Sequence, residues 1–158
     1  MTMVGNLVNR SLSMLGRYRG GKVPARSMEL ASDAAGAREA VEKNLREHQL
    51  QAALLDIWAL VTRANQYVDQ TAPFKLAKDP AQAARLDEVL YNLVEVCRVI
   101  AVMLWPFLPG TAAKIYAQLG LAGEPSKFAE SEWGKLAEGH AIGAPAPLFP
   151  RRDTPAKS

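Results

Sequence analysis

The residues best suited to chemistry in this chain are an amide and a guanidinium four positions apart, Asn6 and Arg10. On a helix that spacing sets the two side chains side by side on one face. Together they can hydrogen-bond the polar edges of an unpaired base, and arginine can also grip a phosphate. The same pair can equally be ordinary solvated surface. A second group is Asp69, Pro73 and Phe74. An aromatic ring directly after a proline at the start of a loop is either a stacking platform for a splayed base or a lid over a core. Asp69 can accept from an exocyclic amine or simply end a helix. Arg17, Arg19, Lys75 and Lys78 add positive charge, either as phosphate contacts or as solvated surface.

Other chemistries find no support. The two histidines, His48 and His140, stand apart from any cysteine or carboxylate at metal-ligand spacing, so no metal site is expected. Cys97 falls on an apolar helical face and is expected to be inert core. There is no P-loop or dinucleotide fingerprint, and Gly20-Gly21 reads as a turn. No catalytic residue is expected in this chain.

The elements that must position these residues are helical. Val4, Leu7, Val8, Leu12, Leu15 and Tyr18 recur at helical spacing, with Asn6, Arg10, Ser13 and Arg17 on the opposite face. This predicts a helix over 4–18, ended by Gly20-Gly21 and Pro24. Asp33 is the expected N-cap of a second helix reaching 47. A third helix is expected over 50–70, burying Leu54, Leu55, Trp58, Val61 and Ala64, with Pro73 stopping it and a loop over 73–79. Pro80 then opens a long fourth helix over 81–104, and a fifth covers 111–119. Trp58 and Trp105 are expected in the core, and Trp133 is expected to pin the C-terminal segment to the bundle.

No alternation long enough for a strand occurs, so the fold class is all-α, a bundle of about five helices with short connections. Residues 4–122 are expected to form the bundle, 123–153 an extended segment packing back on it, and 154–158 a frayed tail. Pro145, Pro147 and Pro150 forbid regular helix near the end, while Ile142, Leu148 and Phe149 suit packing along a surface.

Composition agrees with one globular domain. The 158 residues are 49% hydrophobic and 22% charged, with a net charge of +3. That balance permits an anionic partner without requiring one. A single cysteine excludes an internal disulfide framework and suits a reducing cytoplasm. The longest apolar run, 99–108, is too short to span a bilayer, and no charged-then-apolar leader opens the chain. A soluble, cytoplasmic protein without a membrane partner is expected.

Taken in order, Gly5-Asn6-Leu7-Val8-Asn9-Arg10, Met14-Leu15 and Gly21-Lys22-Val23-Pro24 resemble the first helix of the anticodon-binding domain of bacterial methionyl-tRNA synthetases. Leu54, Trp58 and Val61, then Asn65, Tyr67, Val68, Asp69, Pro73 and Lys78, are similar to its third helix and following loop. Tyr91-Asn92, Arg98 and Pro106-Phe107-Leu108-Pro109 resemble its fourth helix and exit. Pro147-Leu148-Phe149-Pro150-Arg151 resembles the closing segment that returns towards the catalytic module.

The resemblance implies the helical anticodon-binding fold of class I aminoacyl-tRNA synthetases and recognition of the CAU anticodon of methionine tRNA. It implies Asn6, Arg10, Asp69, Pro73 and Phe74 as anticodon contacts. Phe74 stands where the family carries tryptophan, which keeps a π-face and loses an N–H donor. The H-x-G-H and K-M-S-K-S-like motifs of the catalytic module do not occur. The chain is therefore expected to be the C-terminal domain of such an enzyme, a methionine–tRNA ligase, separated from its catalytic module. ATP and methionine would bind that module, and no cofactor is expected in this chain. The rival readings are the equivalent domain of a valine, leucine, isoleucine or cysteine enzyme, and a helical scaffold that binds no RNA.

Overall fold

A computed structural model describes residues 2–121, 125 and 128–143. Pro145, Pro147, Leu148, Phe149, Pro150, Arg151 and the tail 154–158 lie outside the described residues. Among the described residues six α-helices run in chain order: α1 (Thr2–Arg19), α2 (Ala31–Arg46), α3 (Leu50–Thr71), α4 (Pro73–Leu76), α5 (Ala83–Leu104) and α6 (Pro109–Gln118). Short 3-10 turns occupy Pro80–Gln82 and Phe128–Ser131. Among the described residues there is no strand, only an isolated antiparallel bridge between Lys22 and Ala141. The architecture is all-α.

Helix α5 is the axle. Every residue from Val89 to Leu104 is buried, because α1, α2, α3, α4 and α6 all pack against it. A helix apolar nearly all round belongs at the centre of a bundle. Helix α1 contributes Val4, Leu7, Val8, Leu12 and Leu15 to the core and turns Asn6, Asn9, Arg10, Ser13 and Arg17 to solvent. It ends where Gly20 (φ +64°) and Gly21 (φ +79°) take left-handed conformations, and the Gly21 N–H donates back to Leu15 O at 3.1 Å.

Several local expectations are corrected. Helix α2 starts at Ala31, ahead of Asp33, and Leu30 at its N-cap offers no side-chain bond. Asp33 instead lies in the first turn and pairs with Arg63 of α3 at 3.6 Å. The stretch after Pro73 is not all loop: α4 is one helical turn. Pro80 opens a separate 3-10 turn whose cap is Asp79, its Oδ1 accepting from the Ala81 N–H at 3.0 Å, and α5 begins only at Ala83. On α3 the buried face is Ala53, Ile57, Leu60, Val61, Ala64, Tyr67 and Val68, while Leu55 is 60% exposed. Leu55 lies a helical step away from the stripe that α2 and α5 cover. Trp58 and Trp105 are half-buried at the core's edge rather than inside it.

After α6 the chain returns across the bundle. His140 Nε2 donates to Leu119 O at 2.8 Å, closing the carbonyl end of α6. Val23 N donates to His140 O at 2.9 Å, and Ile142 N to Gly21 O at 2.9 Å. A Cβ on Gly120 (φ +72°) would stand 2.5 Å from Ala141 O, so the two segments meet this closely only because position 120 is glycine.

This returning segment is tied down by a buried ion pair on α5. Arg98 meets Glu95 through Nε–Oε1 at 2.8 Å and Nη2–Oε2 at 2.7 Å, with almost no exposure of either side chain. Glu95 also accepts the N–H groups of Gly134, Lys135 and Leu136, at 2.6, 3.0 and 3.4 Å. Arg98 donates in turn to the carbonyls of Glu130 and Glu132. Burial works against the Arg98 charge, but the hydrogen bonds and charge of Glu95 outweigh it, and the guanidinium holds its proton more tightly than usual. Trp133 donates its indole N–H to Ser27 O at 2.8 Å and packs edge-on against Tyr91, ring centres 6.3 Å apart.

Candidate nucleic-acid interface

The sharpest local feature near the expected site is Ala72. It takes a left-handed conformation (φ 47°, ψ 64°), rare for a residue with a Cβ, and its N–H still closes α3 by donating to Val68 O at 2.9 Å. The reversal ends α3 and starts α4 within one residue. Pro73, with its fixed φ and no N–H to satisfy, fits the first position of the new turn. Pro73 is thereby buried and Phe74 is thrown outward, 53% exposed. Phe74 is not a lid over the core.

Across from Phe74 runs the polar face of α1. A cleft of about 270 Å³ is lined by Asn9, Arg10, Ser13, Met14 and Arg17 of α1, Val68 of α3 and Phe74 of α4. Met14 and Val68 give it apolar surface, Asn9, Arg10, Ser13 and Arg17 give it polar and cationic surface, and Phe74 adds an aromatic ring. Arg10 is held from α3: Nη1 donates to Asn65 Oδ1 at 3.4 Å, and Nη2 lies 3.6 Å from Asp69 Oδ1. Asn65 keeps that oxygen turned to Arg10 because its Nδ2 is engaged by Val61 O at 3.2 Å, one turn back. With Arg10 and Asp69 side chains 44% and 77% exposed, the pair is weak enough to exchange for a ligand at little cost.

The expected site residues thus divide. Arg10, Arg17 and Phe74 meet in the cleft, Asp69 stands behind Arg10, and Pro73 sets the ring's direction. Asn6 is exposed one turn up α1 and does not line the cleft. Lys75 and Lys78 are exposed beside Phe74. Arg19 is engaged as a strut, pairing with Asp87 and donating to Ala83 O at 3.2 Å, which ties the end of α1 to the start of α5. The sequence named Asn9, Ser13, Met14, Asn65 and Val68 within its helices without assigning them to the site. Asn9 and Ser13 carried a usable signal, four residues apart along the edge of the polar face.

Elsewhere the structure offers less. A hollow of about 370 Å³ between α2 and α3 is lined largely by small side chains, and its charges Asp33 and Arg63 satisfy each other. Cys97 is fully buried, and burial pushes its thiol up to about 12. Among the described residues no group of three or more His, Cys, Asp or Glu could hold a metal ion, and no helix is long and apolar enough to cross a membrane.

The sequence pattern described as the anticodon binding domain of methionyl tRNA ligase matches residues 18–155. The chain belongs to this family. The match starts beyond Asn6 and Arg10. The methionine–tRNA ligase of Caldanaerobacter subterraneus is 37% identical over 95% of this chain, and that of Bacillus subtilis 37% over 94%. The Clostridium tetani enzyme is 38% identical over 98%. In each case the chain spans about a quarter of the relative's length. The Mycobacterium tuberculosis methionyl-tRNA synthetase in its apo form superposes on 97% of this chain with a TM-score of 0.81 and 33% identity, the chain covering 32% of it. As a member of the methionyl-tRNA ligase anticodon-binding domains, the chain is set apart from the valine, leucine, isoleucine and cysteine enzymes and from an unrelated scaffold.

Proposed function

We propose that this domain docks the anticodon loop of methionine tRNA, CAU, and within a methionine–tRNA ligase of the cytoplasm positions that tRNA for aminoacylation by the catalytic module. ATP and methionine chemistry belongs to that module. The observation that carries the reading is the cleft itself: an exposed Phe74 facing Arg10 and Arg17 in a chain of this family.

An unpaired base stacks on Phe74, which needs only a π-face and tolerates the loss of the indole N–H. Arg10 swings from Asp69 to the loop, trading an exposed ion pair for a base edge or phosphate. Asn6, one turn further along α1, meets the next nucleotide. Arg17, Lys75 and Lys78 neutralise phosphates.

The test is titration of the 158-residue chain with a CAU stem-loop and with a loop of scrambled sequence, at two salt concentrations. The CAU loop should bind more tightly. With Arg10, Arg17, Lys75 and Lys78 engaged, log affinity should fall against log salt with a slope of about −3. Equal affinity for both loops refutes anticodon recognition, and a flat salt response refutes the phosphate contacts.

A further inference from the structure

The cleft holds more polar capacity than the contacts above use. Asn9, Ser13 and Arg17 follow one another at four-residue intervals along α1, about 6 Å apart on the helix axis. All three line the cleft together with Phe74. Within the described residues none of their side chains has a hydrogen bond or ion pair, whereas the side chain of neighbouring Arg10 is held by Asn65 and Asp69. The row therefore runs from an amide through a hydroxyl to a cation, in a cleft that Met14 and Val68 also line. Its chemistry changes along the row as a nucleotide's does, from base edge to phosphate. At about 270 Å³ the cleft lies just under the size of pockets that take drug-sized ligands, which suits a single base rather than a stack.

We infer that Asn9 is a specificity-determining residue: its amide hydrogen-bonds the Watson–Crick edge of the base stacked on Phe74, while Arg17 holds that nucleotide's phosphate. The inference rests on the anticodon-binding reading and deepens it. A primary amide offers a donor beside an acceptor, and so does the Watson–Crick edge of an unpaired base, so the two can pair through two bonds. Arginine, with donors only, cannot make that match. Asn9 and Arg10, adjacent in sequence, thus do different work: Asn9 reads the base lying flat on Phe74, and Arg10 must first leave Asp69 to read at all. Ser13, between Asn9 and Arg17, adds a rotatable hydroxyl that serves whichever group the base or ribose presents.

The experiment uses the 158-residue chain with four stem-loops, CAU and three with one anticodon base replaced in turn. Asn9→Ala should bind the CAU loop about 10- to 100-fold more weakly, the loss of one two-bond base contact. It should also lose the preference for the native base at one anticodon position, keeping it at the other two. Asn9→Leu, which keeps the approximate shape without charge and loses both donor and acceptor, should show the same single-position effect. Arg17→Ala should weaken all four loops by one common factor and flatten the salt slope by about 0.7. Asn9 is exposed, so melting of the variants should match the parent chain and any change in affinity reports the contact. An Asn9 variant that binds all four loops like the parent, or weakens all four equally, overturns the assignment of Asn9. Failure of the parent chain to prefer CAU over a scrambled loop overturns the function proposed above, a different result on a different sample.

Discussion

Replacing the Glu95–Arg98 pair with apolar residues of similar size, Glu95→Leu with Arg98→Met, tests why a buried ion pair is kept here. For an isolated buried pair that exchange is often neutral or stabilising, because desolvation consumes most of the Coulombic gain. This pair is not isolated. It satisfies the N–H groups of Gly134, Lys135 and Leu136 and the carbonyls of Glu130 and Glu132. The apolar double variant strands all five, at about 1–3 kcal/mol for each group left buried without a partner. The chain can avoid that total by releasing the segment to water, so the loss is capped at its docking energy. The double variant should therefore keep the helical bundle, expose the amides of 134–136 to rapid hydrogen exchange and become cleavable by protease between 128 and 143. Arg98→Ala alone leaves the Glu95 charge behind and should cost about 3–5 kcal/mol. For a chain of this size that lowers the melting midpoint by about 6–20 °C. Calorimetry with hydrogen exchange read by mass spectrometry follows both effects. A double variant as stable as the parent, with 134–136 still protected, would refute the reasoning.

Three further outcomes are expected. Phe74→Ala should lose about 1–3 kcal/mol of stem-loop affinity while Phe74→Trp keeps or tightens it; because the ring is half in solvent, the alanine variant should melt well short of the loss a core phenylalanine would cause, about 3–5 kcal/mol, and a full loss of that size with unchanged affinity would refute the stacking role. Burial raises the Glu29 carboxyl, but hydrogen bonds from Tyr67 and Arg85 and the Arg85 charge outweigh it, so its pKa lies below the usual 4.5. A depressed carboxylate stabilises fully above its unfolded pKa and loses that contribution as pH falls through the folded value, so Glu29→Gln should be less stable than the parent at neutral pH and converge with it well below pH 4.5 in melts across pH. Cys97, buried and with its thiol pushed up to about 12, should resist iodoacetamide at pH 8 in the folded chain and react at once in denaturant; ready labelling of the folded chain would contradict the core packing.

What the sequence shows of the fold follows from local periodicity. The α1 core face and the length of α5 were legible because Val4 to Leu15 and Leu86 to Leu104 repeat at helical spacing. Nothing local announced the burial of Glu95 and Arg98, which depends on residues 130–136, more than thirty positions away, lying over them. Leu55 misled for the opposite reason: its chemistry says core, and only the phase of α3 against its neighbours turns it outward. At the cleft, Arg10 and Phe74 were named from the chain, but the choice between platform and lid hung on the single φ of Ala72. The capture of Arg10 by Asn65 and Asp69 joins two helices fifty-five positions apart, and no local pattern announces it.

The clasp between Trp133 and Ser27 joins residues 106 positions apart, and with it comes an order of assembly. On the ribosome Glu95 and Arg98 emerge before the backbone that will receive them. At typical rates of synthesis the wait from residue 98 to residue 136 lasts about 2–8 s. For that interval the middle of α5 carries two hydrated charges and an uncovered face. The helices can gather around it, but the last side of the axle closes only once residues 130–136 have emerged, so a chain stalled or cut before 130 leaves a nascent bundle open to chaperones and aggregation at the place where the finished domain is most tightly shut.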